Sequence, residues 1–313
     1  MQIQQQTRPN IQTIAAFVGD KWIVWWKLLR PHTLTASFVP VAIGTVLALP
    51  SSKFRLDLFM IMLLASILIQ VATNIFNEYY DYKRGLDHEN SVGIGGAIVR
   101  YGVAPSKILA LAQCSTATGI LLGLYLCHET SWYLFPIGLC CAAVGYLYSG
   151  GPFPISATPF GELVAGLCMG LVIILISFFI QTGTVTNVAI AGSIPTSVLI
   201  GAILMSNNLR DLEDDEKHGR KTLAILLKRT QGTYCLIGMF IFSYTWIIYL
   251  VLIHTLPPWS LISFISMPKA IQASRGFLKN KTPETLATAM IATAQTNTIF
   301  GFLLVIGLLL QYW

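Results

Sequence analysis

Residues Leu56 to Asn90 read LDLFMIMLLASILIQVATNIFNEYYDYKRGLDHEN. From Leu58 to Asn77 no residue is charged, and a helix of that length crosses the roughly 30 Å hydrocarbon core of a bilayer. The chain then changes character, with Glu78, Asp81, Asp87 and Glu89 following within a few turns. An apolar helix that ends on acids and amides reads as a membrane span with chemistry at its end.

Composition supports that reading. The 313 residues are 54% hydrophobic and 11% charged, against roughly 25% charged in soluble domains. Further apolar runs predict nine spans: Leu34–Leu49, Leu58–Asn77, Ile108–Cys127, Trp132–Tyr148, Gly161–Gln181, Val188–Ser206, Tyr234–His254, Trp259–Ala273 and Ala289–Gln311. The fold class expected is an all-α integral membrane bundle. Residues 1–32 form a cytoplasmic and interfacial segment, and residues 33–313 a single transmembrane domain. Within the first segment, DKWIVWWKLLRPHT is Trp-rich and amphipathic and suits the membrane interface. No short apolar core or small-residue cleavage site precedes the first span, so that span is expected to be retained.

Charge sets the orientation. With the N-terminus in the cytoplasm, every one of the 20 Lys and Arg residues except Lys53 and Arg55 falls on the cytoplasmic side. The net charge of +6 is accounted for by this asymmetry, and no nucleic acid is expected as a partner. The six cysteines lie in apolar stretches with no C-x-x-C pair; they read as small buried hydrophobes rather than a disulfide or metal framework. Gly119-x-x-x-Gly123 and Gly166-x-x-x-Gly170 are pairs that allow helices to approach closely.

A second acid window, NNLRDLEDDEKHGRKTLAILL, follows another apolar run and holds Asp211, Glu213, Asp214, Asp215 and Glu216. Nine of the 14 acidic residues thus stand in two short windows on one predicted face. Asn77-x-x-x-Asp81 recurs as Asn207-x-x-x-Asp211, and Asp211-x-x-x-Asp215 has the same spacing. If the helices continue, each pair shares a face, about 6 Å apart along the axis. Carboxylate and amide oxygens are hard donors that suit Mg²⁺ shared with phosphate, and bound cations would relieve the crowding of anions. Lys83, Arg84, Arg100, Arg210 and Lys221 stand near the windows as candidate diphosphate ligands. The Gly-rich stretch NSVGIGGAIVRYG leads into Arg100. Together these features point to a substrate with a diphosphate head at the cytoplasmic end and an apolar tail among the helices. A polyprenyl diphosphate meets both demands. A transporter is the reading from another class, but no predicted span carries a charge at its centre.

The two windows resemble the aspartate-rich motifs of UbiA-type intramembrane prenyltransferases. The usual first motif is N-D-x-x-D; here it is NEYYD, with Glu78 in place of the Asp, and DLEDD stands for the second. The likeness extends from RPHTLTASFVP to the last span and is greatest in the branch that prenylates 1,4-dihydroxy-2-naphthoate in menaquinone synthesis. It implies a nine-helix bundle in the cell membrane and Mg²⁺ held by Asn77, Asp81, Asp211 and Asp215. Of these, Asp81, Asp211 and Asp215 would be catalytic, and Asn74, Asn207 and Asn208 are further candidate ligands. It also implies transfer of a polyprenyl chain to the naphthoate with loss of CO₂. Arg30, His32 and Tyr148 are candidates to hold that acceptor, Arg30 and His32 alternatively the diphosphate, and Tyr146 and Tyr148 to flank the allylic cation. For Glu162 a place at a helix N-terminus is as good an explanation as function, and it is not counted among the site residues. The neighbouring reading is the same chemistry on 4-hydroxybenzoate or haem.

Overall fold

The computed structural model describes residues 24–26, 28–51, 53–87 and 96–312, except for the side chains of residues 31 and 32. Among these the chain is all-helical, with no strand. The elements are α1 (Pro31–Ala48), α2 (Leu56–Lys83), α3 (Pro105–Glu129), α4 (Leu134–Leu147), α5 (Gly161–Thr182), α6 (Asn187–Arg210), α7 (Leu212–Lys217), α8 (Leu223–Leu252), α9 (Met267–Lys279) and α10 (Pro283–Leu309). A 3₁₀ stretch, Pro258–Ser266, leads into α9.

Local chemistry starts and stops these helices. Pro31, Pro105 and Pro283 stand at the first helical positions of α1, α3 and α10, where a missing N–H costs nothing. Thr186 and Thr222 cap α6 and α8 by accepting the N–H groups of Ala189 and Ile225. Asp57 in the first turn and Lys83 in the last complement the dipole of α2.

Among the described residues six helices, α2, α3, α5, α6, α8 and α10, are long and apolar enough to cross a membrane. The protein is therefore a multi-pass integral membrane protein. The remaining expected spans fall on α1, on the 14-residue α4, and on the 3₁₀ stretch with α9. Of these, α1 and α4 are apolar but shorter than the six.

One large core joins α1, α5, α6, α8, α9 and α10 around Ile43, Phe178, Leu199, Met205 and Phe300. A second joins residues 24 and 28 to α2, α3 and the 97–98 turn. A third, with Leu58, Met62, Leu126, Cys127 and Leu134, closes the end of the bundle opposite the two acid windows. Between these cores a cavity is lined by α2, α3 and α4 on one side and α5 and α6 on the other.

Close approach of α5 to α6 depends on Gly170. A methyl group there would collide with the backbone and side chain of Ser197. The same α5 contains a π-helical stretch, Gly166–Val172, a feature often found near functional sites. Gly123 corrects the expectation of a second packing pair. Nothing lies within 4 Å of its hypothetical Cβ, because it borders a cavity. The cysteines also depart from expectation: all six are free, but only Cys127 is buried, and Cys114 and Cys140 are exposed. In a bilayer an exposed apolar position faces lipid, so burial inside the protein is not needed to keep a thiol out of water.

Candidate active site

The ends of α2 and α6 meet at the head of a cavity of about 440 Å³. Arg30, Asn74, Asn77, Asp81, Asp87, Tyr148, Asn207, Asn208, Arg210, Asp211 and Arg220 line the polar end. Met62, Ala65, Ile69, Gly119, Gly123, Gly138, Cys168 and Ile176 line an apolar remainder. On α2 alone the lining runs from Met62 to Asp81, about 28 Å of helix axis and close to the depth of the hydrocarbon core.

Arg220 holds the head together. Its Nη2 donates to Asp81 Oδ1 at 3.0 Å and its Nη1 to Asp215 Oδ1 at 3.1 Å. One guanidinium thus bridges two acids that lie far apart in sequence. Asn77 Nδ2 donates to Asp81 Oδ2 at 2.7 Å. Arg210 takes Asp211 in a two-pronged pair, with Nε to Oδ1 at 2.6 Å. The crowding of anions expected from the sequence is therefore relieved within the protein by two arginines. Burial pushes the Asp215 carboxyl up to about 6, with Asp211 and Asp81 adding to the rise and Arg220 opposing it. Burial acts against the charge on Arg220, but Asp81, Asp215 and Asp211 outweigh it and raise its pKa.

The helix does not run through the second window. α6 ends at Arg210, Asp211 leaves helical geometry at φ −93° and ψ 8°, and α7 begins at Leu212. Gly219 at φ +75° then reverses the chain, which brings Arg220 back onto Asp215. Arg229 Nη1 donates to the Leu209 carbonyl at 3.0 Å and its Nη2 pairs with Glu213, tying the start of α8 to this turn.

Other expected residues are placed differently. Asn74 Nδ2 donates to the Leu29 carbonyl at 3.2 Å and to Thr33 Oγ1 at 3.0 Å. It thereby braces the turn in which Arg30 adopts φ 49°, and Arg30 reaches the cavity. Asn207 lines the cavity, and Asn208 donates to buried Glu162 at 2.9 Å. Tyr148 lines the cavity, whereas Tyr146 pairs its hydroxyl with Tyr80 at 2.8 Å outside it. Arg84 is turned onto the carbonyls of Ser149 and Gly151, at 2.6 and 2.9 Å. Lys83, Arg100 and Lys221 are exposed and are not among the lining residues. The side chain of His32 lies outside the described residues.

Arg220 is the residue that sequence reading missed. Its signal was a cation directly after a glycine that ends a short acidic helix, but bridging depends on where α2 lies, and no local pattern carries that.

Among the described residues no three carboxylate, histidine or cysteine groups are close enough to hold a metal ion by themselves. The donor set nevertheless fits a hard divalent cation. Asp81, Asp211 and Asp215 converge with the Asn77 amide around one head, and Mg²⁺ is commonly held by one or two carboxylates with water and substrate phosphate.

Residues 37–304 match the UbiA prenyltransferase family. Over 290 residues the chain is 55% identical to the 1,4-dihydroxy-2-naphthoate octaprenyltransferase of Bacillus subtilis (strain 168), covering 93% of each chain. The fold is similar to that of the apo UbiA homologue from Aeropyrum pernix K1, with a TM-score of 0.67 at 14% identity over 89% of this chain and 98% of that one. It is also similar to a UbiA homologue from Archaeoglobus fulgidus bound to DMAPP and Mg²⁺, with a TM-score of 0.60 at 16% identity, covering 90% and 99%. The two acid windows, the cavity they head and these likenesses agree: the chain belongs to the UbiA prenyltransferase family.

Proposed function

We propose that the protein transfers a polyprenyl chain from polyprenyl diphosphate to 1,4-dihydroxy-2-naphthoate. The naphthoate carboxylate leaves as CO₂ and pyrophosphate is released, giving demethylmenaquinol for menaquinone synthesis. The observation that carries the reading is the meeting of both acid windows on Arg220 at the head of a largely apolar cavity nearly as deep as the hydrocarbon core of a bilayer. The likeness to a naphthoate octaprenyltransferase supports the choice of acceptor.

Asp81 with Asn77, and Asp211 with Asp215, are the residues that would hold Mg²⁺. When bound, Mg²⁺ supplies positive charge to the leaving diphosphate. Arg220 and Arg210 add fixed cationic donors where negative charge grows, and need little reorganisation because their partners already orient them. The apolar wall keeps water from the allylic carbon. Arg30 and Tyr148 stand at the mouth to orient the acceptor, with His32 adjoining in sequence.

The chain is read as nine spans in the plasma membrane, with residues 1–32 cytoplasmic or interfacial and residues 33–313 as one transmembrane domain. Supporting the count, the 3₁₀ stretch before α9 rises about 2 Å per residue, which lengthens that segment beyond an α-helix of equal size. The distribution of Lys and Arg supports a cytoplasmic N-terminus and active site.

The test is a side-by-side incubation of purified protein, Mg²⁺ and octaprenyl diphosphate with 1,4-dihydroxy-2-naphthoate or 4-hydroxybenzoate, read by mass spectrometry. The expected result is a prenylated naphthoquinol with CO₂ and pyrophosphate in equal amounts. 4-Hydroxybenzoate should react at least about tenfold more slowly, a difference of about 1.4 kcal/mol. Preferential prenylation of 4-hydroxybenzoate without CO₂ would move the acceptor to the neighbouring branch.

A further inference from the structure

Glu78 stands beside Asn77 in the first acid window, yet it does not join the Asp81–Arg220 head. It is 1% exposed. Its Oε1 and Oε2 accept the Gly96 N–H at 2.8 and 3.0 Å, and Oε1 also accepts the Ile98 N–H at 3.3 Å. Those amides belong to a compact turn. Within it Arg100 N donates to Gly96 O at 2.8 Å and Val103 N to Ala97 O at 3.1 Å. Ala97 and Ile98 are buried against Ile75, Phe76 and Ile108.

The turn carries Arg100. Gly96 adopts φ +107°, and a Cβ there would stand 3.0 Å from the Arg100 side chain, so that side chain lies across the glycine. Arg100 also acts electrostatically on Asp87, a cavity-lining acid. This sets Arg100 at the rim of the head, although it does not line the cavity.

We propose that Glu78 is a positioning residue: it latches the 96–103 turn, so that Arg100 stands at the rim and meets the diphosphate of the donor, and it is not a metal ligand. A carboxylate that accepts these backbone N–H groups has both oxygens engaged, and such charge-assisted bonds are among the stronger ones. Drawing its oxygens onto a cation would leave buried amides unpaired. The role of Arg100 rests on the prenyl-transfer reading; the latch itself does not.

The experiment uses the full chain in detergent. Without substrate, hydrogen exchange of the amides in residues 96–103 should quicken at least about tenfold in Glu78→Gln, a sign of local opening. In turnover, Glu78→Gln should raise the KM for polyprenyl diphosphate about tenfold, with half-saturating Mg²⁺ changed less than about twofold. Arg100→Gln should give the same rise in KM, and the double variant should be no worse than Arg100→Gln alone, as expected for two residues acting through one contact. If Glu78→Gln fails to fold, Gly96→Ala loosens the same turn with Glu78 intact and should show the same exchange and KM. Unchanged exchange, a large shift in Mg²⁺ half-saturation, or additive effects in the double variant would overturn the proposal. If the unaltered protein transfers no prenyl group, the proposed function fails while the exchange measurement still decides the latch.

Discussion

At the scale of single residues the protein depends on which cation meets which acid. Lys83, Arg84, Arg100, Arg210 and Lys221 were all plausible from the sequence, because each lies near an acid window. The structure brings Arg210 and Arg220 to the head and turns Arg84 onto backbone carbonyls. Arg220→Gln keeps a planar donor but removes the charge shared by Asp81 and Asp215. Prenyl transfer should fall at least about a hundredfold in kcat/KM, near 3 kcal/mol; retained activity in the same assay would remove Arg220 from the mechanism. Asp87 permits a test on stability. Burial, then Asp81 and Glu78, push its pKa from 3.8 up to about 6, against Arg30 and Arg100. The folded chain therefore holds that proton more tightly than the unfolded chain. Stability falls as pH rises from about 4 to about 6 and stays lower above that. Asp87→Asn should raise the melting temperature at pH 7.5, by on the order of 2 °C, and the gain should vanish at pH 4. A thermal melt at both values decides it.

At the scale of elements, the apolar runs placed the long helices well, since twenty uncharged residues in lipid have few alternatives to a helix. The ends were less legible. The spacing of Asp211 and Asp215 suggested a helix running through both, but α6 stops at Arg210 and a short separate helix follows. Each acid finds its own arginine that way, which a continuous helix does not provide. A close helix contact was visible at Gly166 and Gly170, because small residues mark close helix approach, but that α6 is the partner was not. The π-helical stretch at that contact was not visible. Gly170→Ala forces a methyl group into Ser197 and should cost about 1–3 kcal/mol by overpacking. The melting temperature should drop, and activity should drop with it, because Glu162 and Asn208 ride on those two helices and Asp211 directly follows the end of α6. A Gly170→Ala protein with unaltered melting would show that the pair can separate freely.

At the scale of the whole molecule, orientation is the first matter to test. Lys53 and Arg55 stand apart from every other Lys and Arg along the proposed topology. In a variant lacking the native cysteines, His218→Cys should react with an impermeant label only after the inner face is opened, and Lys53→Cys should react in sealed cells. Labelling of His218→Cys from outside would invert the topology and put the acid windows on the other face. The sequence by itself determined that the chain is a helical membrane protein with anionic chemistry at one end, because hydrophobic run length and charge asymmetry are additive properties read along the chain. It also showed which acids are grouped, because those lie within a few turns of one another. Only the tertiary structure decided that Arg220 bridges the two windows, that Asn74 braces the turn holding Arg30, and that Glu78 turns to the amides of Gly96 and Ile98. Each of those is a meeting of residues from different elements, and a hydrogen bond between them exists only where packing brings donor and acceptor to about 3 Å.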